Sequence, residues 1–533
     1  MSPLPRGGKR LELIQTLLIA LPSFVLFGYN QSGLGGLLSI ESWVETFPEI
    51  DTIHTKGAQK STNSTVQGTI VATCTLGALF GALACASIGD ILGRRKTVLL
   101  AATLTFIGEV LECSSFGLAQ FTIGRFILGL GVGALSTTVP VWQSECSRAK
   151  NRGQHVVIDG LFITVGFVLQ AWIELGFFEI KTGSLSWRMP LVIPAIISLV
   201  LMASVYLVPE SPRWLAKIGK MDQARSTLSQ LRDMPIGSFE IAHEMGNIEL
   251  TLEATKSAAR KRDLFKMGED KVFYRFMLCL LIQFFQQWCG SNLISSYSTT
   301  IFQQGLGMDA EMARILSGAC LTWKFLSSFV AFFTIDRFGR RKLFMFSGFG
   351  MSMCMTALAI TDSFPASNKS AQVGSVFFVF LFNFFVPIGF LGCNYLYVTE
   401  VAPTRLRMPM TSFSTANHWL WNFAVLMITP VAIESIGYKY YILYAILGAC
   451  IPMLVYFMYP ETMGRSLEQM NALFKEHDSI QAIVKASLKQ PDPEIERLAE
   501  AAARKEFDDD YSHHQKNENV EYESSSLEME KGV

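Results

Sequence analysis

Two runs of the chain, Leu13 to Leu38 and Gly68 to Ile88, contain no Asp, Glu, Lys or Arg. Each is long enough to cross a bilayer, which takes about 20 residues of helix. Similar apolar segments recur near Thr97, Phe116, Val156, Trp187, Phe273, Ala313, Leu343, Val373, Met410 and Tyr441, which makes twelve spans. Only 17% of the residues are charged, against about 25% in ordinary soluble domains. The expected fold class is an all-α polytopic membrane protein. Arg6, Lys9 and Arg10 precede the first span, but the apolar run behind them is too long for a signal-peptide core, so this span is expected to remain in the protein.

Lys and Arg balance Asp and Glu at 45 each, so net charge gives no reason to expect nucleic acid. Their distribution is more informative. Basic clusters occur at the N-terminus, at Gly93 to Lys96, at Ser147 to Arg152, throughout Pro209 to Lys271, from Asp336, and at Arg405 and Arg407. With twelve spans all of them fall on one side, which the positive-inside rule makes cytoplasmic. Both termini are then cytoplasmic, and the expected location is the plasma membrane. Two N-x-S/T sequons, at Asn63 and Asn368, fall on the opposite side and are candidate glycosylation sites.

The chain also repeats itself. Asp90 with GRRK matches Asp336 with GRRK, Glu145 and Arg152 match Glu400 and Arg407, and PESPR matches PETMGR, in the same order and at nearly constant separation. The predicted organisation is a cytoplasmic N-terminus (1–12), a six-helix bundle (13–208), a cytoplasmic linker with short helices (209–271), a second six-helix bundle (272–459) and a largely disordered cytoplasmic tail (460–533). Parallel repeats of this kind place a substrate site at mid-membrane between the halves. The polar tail cannot bury a core; its His513 and His514 read as solvated residues rather than metal ligands, and no metal or cofactor is expected. The ten cysteines are scattered, without CxxC pairs, and read as small packing residues. There is no GxxxxGKS/T loop and no HExxH motif, so neither ATP-driven pumping nor an enzyme is expected.

The segments FGYNQSGLGG, GDILGRRK, GRFILGLGVG, PVWQSE, PESPRWL, QFFQQWCGSN, DRFGRRK, YVTEVAPTRLR and PETMGRSLEQM, taken in order, resemble the sugar porter family of the major facilitator superfamily, and in particular its fungal members. The resemblance implies a carrier that works by alternating access, with a sugar, most simply a monosaccharide, as its small-molecule partner. Gln283, Gln286 and Gln287 share a face of the seventh span, and amides suit a neutral polyol because they both donate and accept. The family's sugar contacts fall on Gln286, Gln287 and Asn292 and, in the eleventh span, on Trp419 and Asn422. Asp90, Arg94, Arg95, Glu145 and Arg152, with their repeats Asp336, Arg340, Arg341, Glu400 and Arg407, are implied to form an inner latch of ion pairs; orientation signals alone are the plainer reading.

Several positions depart from the family pattern. Gly160, preceded by Asp159, stands where a sugar-binding Gln is usual, Tyr395 where Trp is common, and His418 where Asn usually precedes the Trp. A lone His of this kind is more often a packing residue than a proton switch. Lys324 lies near the middle of the eighth span, where a charge costs roughly 2.5–3.5 kcal/mol on insertion scales, so it is expected to face the cavity, as a contact for an acidic sugar derivative or in an ion pair. Glu109 and Glu112 share a face of the third span; either one pairs with Arg125, or Glu112 lies at the outer interface. Finally, Asn30 replaces the Asp that takes up the proton in coupled members of the family, with Arg125 as its expected partner. That substitution predicts facilitated diffusion, or coupling with protons moved to Glu112 or Asp159. A carrier of an acidic polyol or other metabolite, and a transporter-like sugar sensor, are the alternatives.

Overall fold

The computed structural model describes residues 8–489 apart from 33, 148–151, 181–182, 257–260, 366–367, 404–405 and 466. Twelve long helical segments can be followed along the described chain. In the first half they are α1 (Lys9–Ser32), α2 (Gly57–Leu92), α3 (Arg94–Cys113), α4 (Leu118–Cys146), α5 (Arg152–Phe178) and α6 (Leu185–Leu207). In the second they are α7 (Val272–Trp288, resuming as Ser291–Thr300), α8 (Ala310–Phe338), α9 (Arg340–Thr361), α10 (Lys369–Phe390, resuming as Cys393–Val401), α11 (Arg407–Ile436) and α12 (Lys439–Met458). Ten of the twelve are long and apolar enough to cross a membrane on composition alone. The other two have local reasons to fall short: α3 carries Arg94, Arg95, Lys96, Glu109 and Glu112, and α7 is interrupted at Cys289 and Gly290.

The repeat seen in the sequence is visible in the packing. Between the halves, α2 lies along α11 and α5 along α8; advancing each helix by six positions turns one contact into the other. The interface is closed by polar bridges as well as by packing: Ser64 to Glu434 at 2.7 Å, Trp172 to Thr322 at 2.9 Å, Trp419 to Ser136 at 3.3 Å and Gln31 to Asn292 at 2.7 Å. Many large apolar side chains on the outer helix faces are exposed, among them Phe333, Phe349, Phe377 and Ile446, as expected of surfaces solvated by lipid rather than water.

The linker is helical (Pro212–Lys217, Met221–Arg232, Phe239–Lys256) and buries Leu215, Ala224, Leu228, Ile241 and Met245 in a small core of its own. The tail is more ordered at its start than its composition suggested. Leu467–Glu476 and Ile480–Ser487 are helices that bury Met470, Leu473, Phe474 and Ile483. Lys271 ties the first of them down by donating to the Phe474 and His477 carbonyls at 2.8 and 2.6 Å. Apolar residues at three- and four-residue spacing give these short pieces one face to bury, a local signal that bulk polarity hides. His513 and His514 lie outside the described residues.

Candidate substrate site and its charged neighbours

The break in α7 builds the centre of the molecule. Gly290 takes up a left-handed turn (φ 94°), and the chain resumes so that Asn292 folds back under Gln287. Asn292 donates to Gln287 and, at 3.0 Å, to the Asn422 side chain on α11, while it accepts from Gln31 of α1 at 2.7 Å. His418 sits at the middle of the group. Its ring lies 3.0 Å from the Gln287 amide nitrogen, 3.2 Å from the amide oxygens of both Gln283 and Gln286, and 3.3 Å from the Tyr395 hydroxyl. The predicted residues Gln283, Gln286, Gln287, Asn292, Tyr395 and Asn422 therefore converge on one cluster. Buried Gln283 Nε2 and Asn422 Nδ2 have no hydrogen-bond partner, nor does Asn394 Oδ1. Orphaned buried polar atoms are costly, and hydroxyl groups of a bound polyol would satisfy them.

Two members of this cluster stand out less in the sequence. Asn394 follows the break in α10 and donates to both Gln283 and Gln286. A signal existed, since it is an uncharged amide in the apolar stretch LGCNYLYV. His418, expected to be a packing residue, touches four of the polar groups. Trp419 packs on Phe27, with ring centroids 4.9 Å apart, and reaches Ser136 of the other half. Gly160 is explained by contact: a Cβ there would meet the Gly392 nitrogen at 3.0 Å and the Leu391 carbonyl carbon at 3.1 Å. The backbone at the α10 break closes the space beside position 160.

Asn30 does not pair with Arg125 as expected. Its amide nitrogen donates to Glu109 at 3.2 Å, and Ser198 of α6 donates to the other Glu109 oxygen at 2.7 Å. Arg125 instead meets Glu112 at 3.8 Å and the Val71 carbonyl at 3.4 Å. Both glutamates are 1% exposed, so Glu112 belongs to the interior and not to the outer interface. The guanidinium is taken by the carboxylate of Glu112, and the amide of Asn30 supplies a neutral donor to Glu109. Asp159 is also buried, and Gln143, with its amide turned, donates to its two oxygens at 3.0 and 3.1 Å. Lys324 is 1% exposed; its ammonium donates to Ser295 at 2.7 Å and lies 4.7 Å from the Phe167 ring centroid.

At one end of the helices the residues expected to form a latch make two matching sets. Arg94 grips Glu145 at 2.8 and 2.9 Å and Asp90 at 3.3 Å; Arg340 grips Glu400 at 2.9 and 3.2 Å and Asp336 at 3.0 Å. Each set lies within one half, so these pairs hold neighbouring helices of a bundle together and do not bridge the bundles. Arg95 and Arg341 reach the Tyr206 and Tyr456 carbonyls in the same way. The Arg152 side chain is outside the described residues, and Arg407 opens α11, half-buried. Glu210 and Glu461, the acids of the PESPR and PETMGR repeats, had no expected role; they accept from the backbone nitrogens of Arg94 and Arg340, both at 3.0 Å. Gly93 and Gly339 have φ of 86° and 85° there, and a Cβ on either would strike those carboxylates at 2.8 and 2.4 Å. Burial pushes the Glu210 carboxyl above its usual range, against the pull of the N–H groups of Ser211, Arg95 and Arg94.

The two sequons differ. Asn368 is exposed at the start of α10, where its side-chain oxygen accepts from the Ala371 nitrogen at 3.2 Å. Asn63 is buried within α2 and donates to the Asp51 carbonyl at 2.7 Å. Its amide is consumed by the fold, which corrects the expectation that both sequons are available.

Comparison with known proteins bears on the family and the fold. The family described as Sugar (and other) transporter matches residues 15–474. The chain is 34% identical to the MFS-type transporter oryC of Aspergillus oryzae over 90% of each chain. It is 32% identical to the sugar transporter STL1 of Saccharomyces cerevisiae over 88% of this chain and 82% of that one. In three dimensions it resembles the proton:xylose symporter XylE bound to 6-bromo-6-deoxy-D-glucose, with a TM-score of 0.75 at 22% identity, over 88% of this chain and all of XylE. The chain is therefore a multi-pass membrane carrier, not an enzyme, and belongs to the sugar transporter family of the major facilitator superfamily.

Proposed function

We propose that this carrier moves a monosaccharide by facilitated diffusion, alternating access around the amide cluster of α7, α10 and α11. The observation that carries the reading is the set of buried, unpartnered polar atoms on Gln283, Asn394 and Asn422. Asn422 accepts from Asn292, which in turn accepts from Gln31 of the first half. A bound sugar would supply hydroxyls to the orphans and draw the halves together. Facilitation follows from Asn30, because an amide cannot gain and lose a proton at physiological pH. The basic helix ends favour cytoplasmic termini by the positive-inside rule, and the plasma membrane is the location that suits uptake of an external sugar.

One observation favours a second reading, in which protons are co-transported. Glu109 and Glu112 are both buried, Glu112 faces Arg125, and Glu109 is held by the uncharged donors of Asn30 and Ser198. A proton resident on Glu109 would balance the cluster. Uptake of labelled hexoses by the full chain in a transporter-null host, at two pH values with and without an uncoupler, separates the two. Facilitation requires that uptake stop at equal concentrations and ignore the uncoupler. Uphill, uncoupler-sensitive uptake that is lost in Glu109→Gln establishes the second reading, and no uptake of any sugar defeats both.

A further inference from the structure

Lys324 is the feature that a carrier of neutral sugar leaves unused. The ammonium is buried at mid-helix, its partners are one hydroxyl and one aromatic face, and no acid among the described residues forms an ion pair with it. A buried charge without a counter-ion is strongly unfavourable, and in a membrane span it marks a functional site by default.

Its surroundings indicate what the counter-ion would be. Ser295, which accepts from Lys324, and Leu321, one turn away on α8, line a small cavity between the halves. The charged residues that line this cavity are Glu174 of α5 and Arg314 of α8, which interact electrostatically with each other. Arg314 interacts with the carboxylates of Glu174 and Asp309, whereas no acid among the described residues pairs with Lys324. The rest of the lining is rich in hydroxyls, including Ser32, Ser298, Thr299 and Ser317, which suit a polyhydroxylated molecule. Ser295 also lies three residues beyond Asn292 in the same helical piece, so the two side chains stand on one face about one turn, roughly 5 Å, apart. A pyranose ring with a carboxylate at one end spans that interval, with the acid at Lys324 and ring hydroxyls at Asn292 and Gln287.

We propose that Lys324 and Ser295 form a carboxylate-binding subsite, and that the transported molecule is a sugar acid bearing one negative charge. This rests on the sugar-carrier reading and sharpens its substrate class. The carboxylate supplies the missing counter-ion on entry, so it gains a charge-assisted hydrogen bond that a neutral sugar cannot make.

The test is uptake of labelled D-glucuronate and D-glucose by the full-length protein in proteoliposomes, with Lys324→Gln and Lys324→Arg beside the unmodified chain. Glucuronate is expected to be preferred by about 10- to 100-fold in kcat/KM, the range of one hydrogen bond to a charged group. Lys324→Gln should abolish that ratio and Lys324→Arg should keep part of it. Transport of glucose with no glucuronate transport overturns the subsite and leaves the sugar carrier standing. An unchanged ratio in Lys324→Gln also overturns it, because the lysine is then structural. Should the variants fail to fold, thermal unfolding of the unmodified protein decides: stabilisation by glucuronate beyond that by glucose at equal concentration is expected, and equal stabilisation refutes the subsite. If neither sugar is moved or stabilises the protein, the sugar-carrier reading falls and the subsite with it.

Discussion

Placing Gln at position 160 restores the amide that is usual in the fifth span of the family, and here it should impair transport. A Cβ on Gly160 lies 3.0 Å from the Gly392 nitrogen, 3.1 Å from the Gly392 Cα and 3.1 Å from the Leu391 carbonyl carbon. All three are backbone atoms at the break in α10, so no flexible side-chain end can swing aside. The contact joins α5 of one half to α10 of the other, which means that the strain falls on the closed arrangement. Overpacking of this kind costs about 1–3 kcal/mol, equivalent to about 5- to 150-fold in the balance between closed and open forms. Gly160→Ala should therefore lower the maximal uptake rate at least about 5-fold, and Gly160→Gln more, with equal amounts of protein in the membrane. Gly176 on the same helix is the control, because a Cβ there meets nothing within 4 Å, so Gly176→Ala should leave the rate alone. Initial rates in proteoliposomes, normalised to inserted protein, make the measurement. A Gly160→Gln variant that transports as fast as the unmodified chain would refute the argument.

Two further outcomes follow from the pairings. Arg94→Gln and Arg340→Gln each strand a carboxylate, Glu145 or Glu400, and should destabilise the protein by about 3–5 kcal/mol. Thermal unfolding should show partial recovery in the double variants Arg94→Gln with Glu145→Gln and Arg340→Gln with Glu400→Gln, because each pair is confined to one bundle. In a secretory host, Asn368→Gln should remove the endoglycosidase-sensitive gel shift while Asn63→Gln leaves it, since Asn368 is exposed and the Asn63 amide is buried and donates to Asp51; the reverse pattern would contradict the burial of Asn63.

The amide face of the seventh span was legible in the sequence because it is local: Gln283, Gln286 and Gln287 repeat with helical period, and that period fixes a shared face whatever the helix packs against. The doubled GRRK loops were legible for the same reason, since charge placed at a membrane boundary constrains the fold at once. His418 and Asn394 were harder, because a single polar residue in an apolar span carries no periodicity, and its value depends on which helix it meets.

What the sequence determined by itself was the class of molecule: a helical membrane carrier with many apolar spans and an internal duplication. These follow from length, charge and spacing, which act through the solvent and along a single helix. The tertiary structure decided the pairings. It gave Arg125 to Glu112 and Asn30 to Glu109, filled the space beside Gly160 with the α10 backbone, kept the ion pairs of Arg94 and Arg340 within their own bundles and left Lys324 without an acid among the described residues. Each of these depends on the distance between residues far apart in the chain, and electrostatic and steric energies change over a few ångströms, which no one-dimensional pattern records.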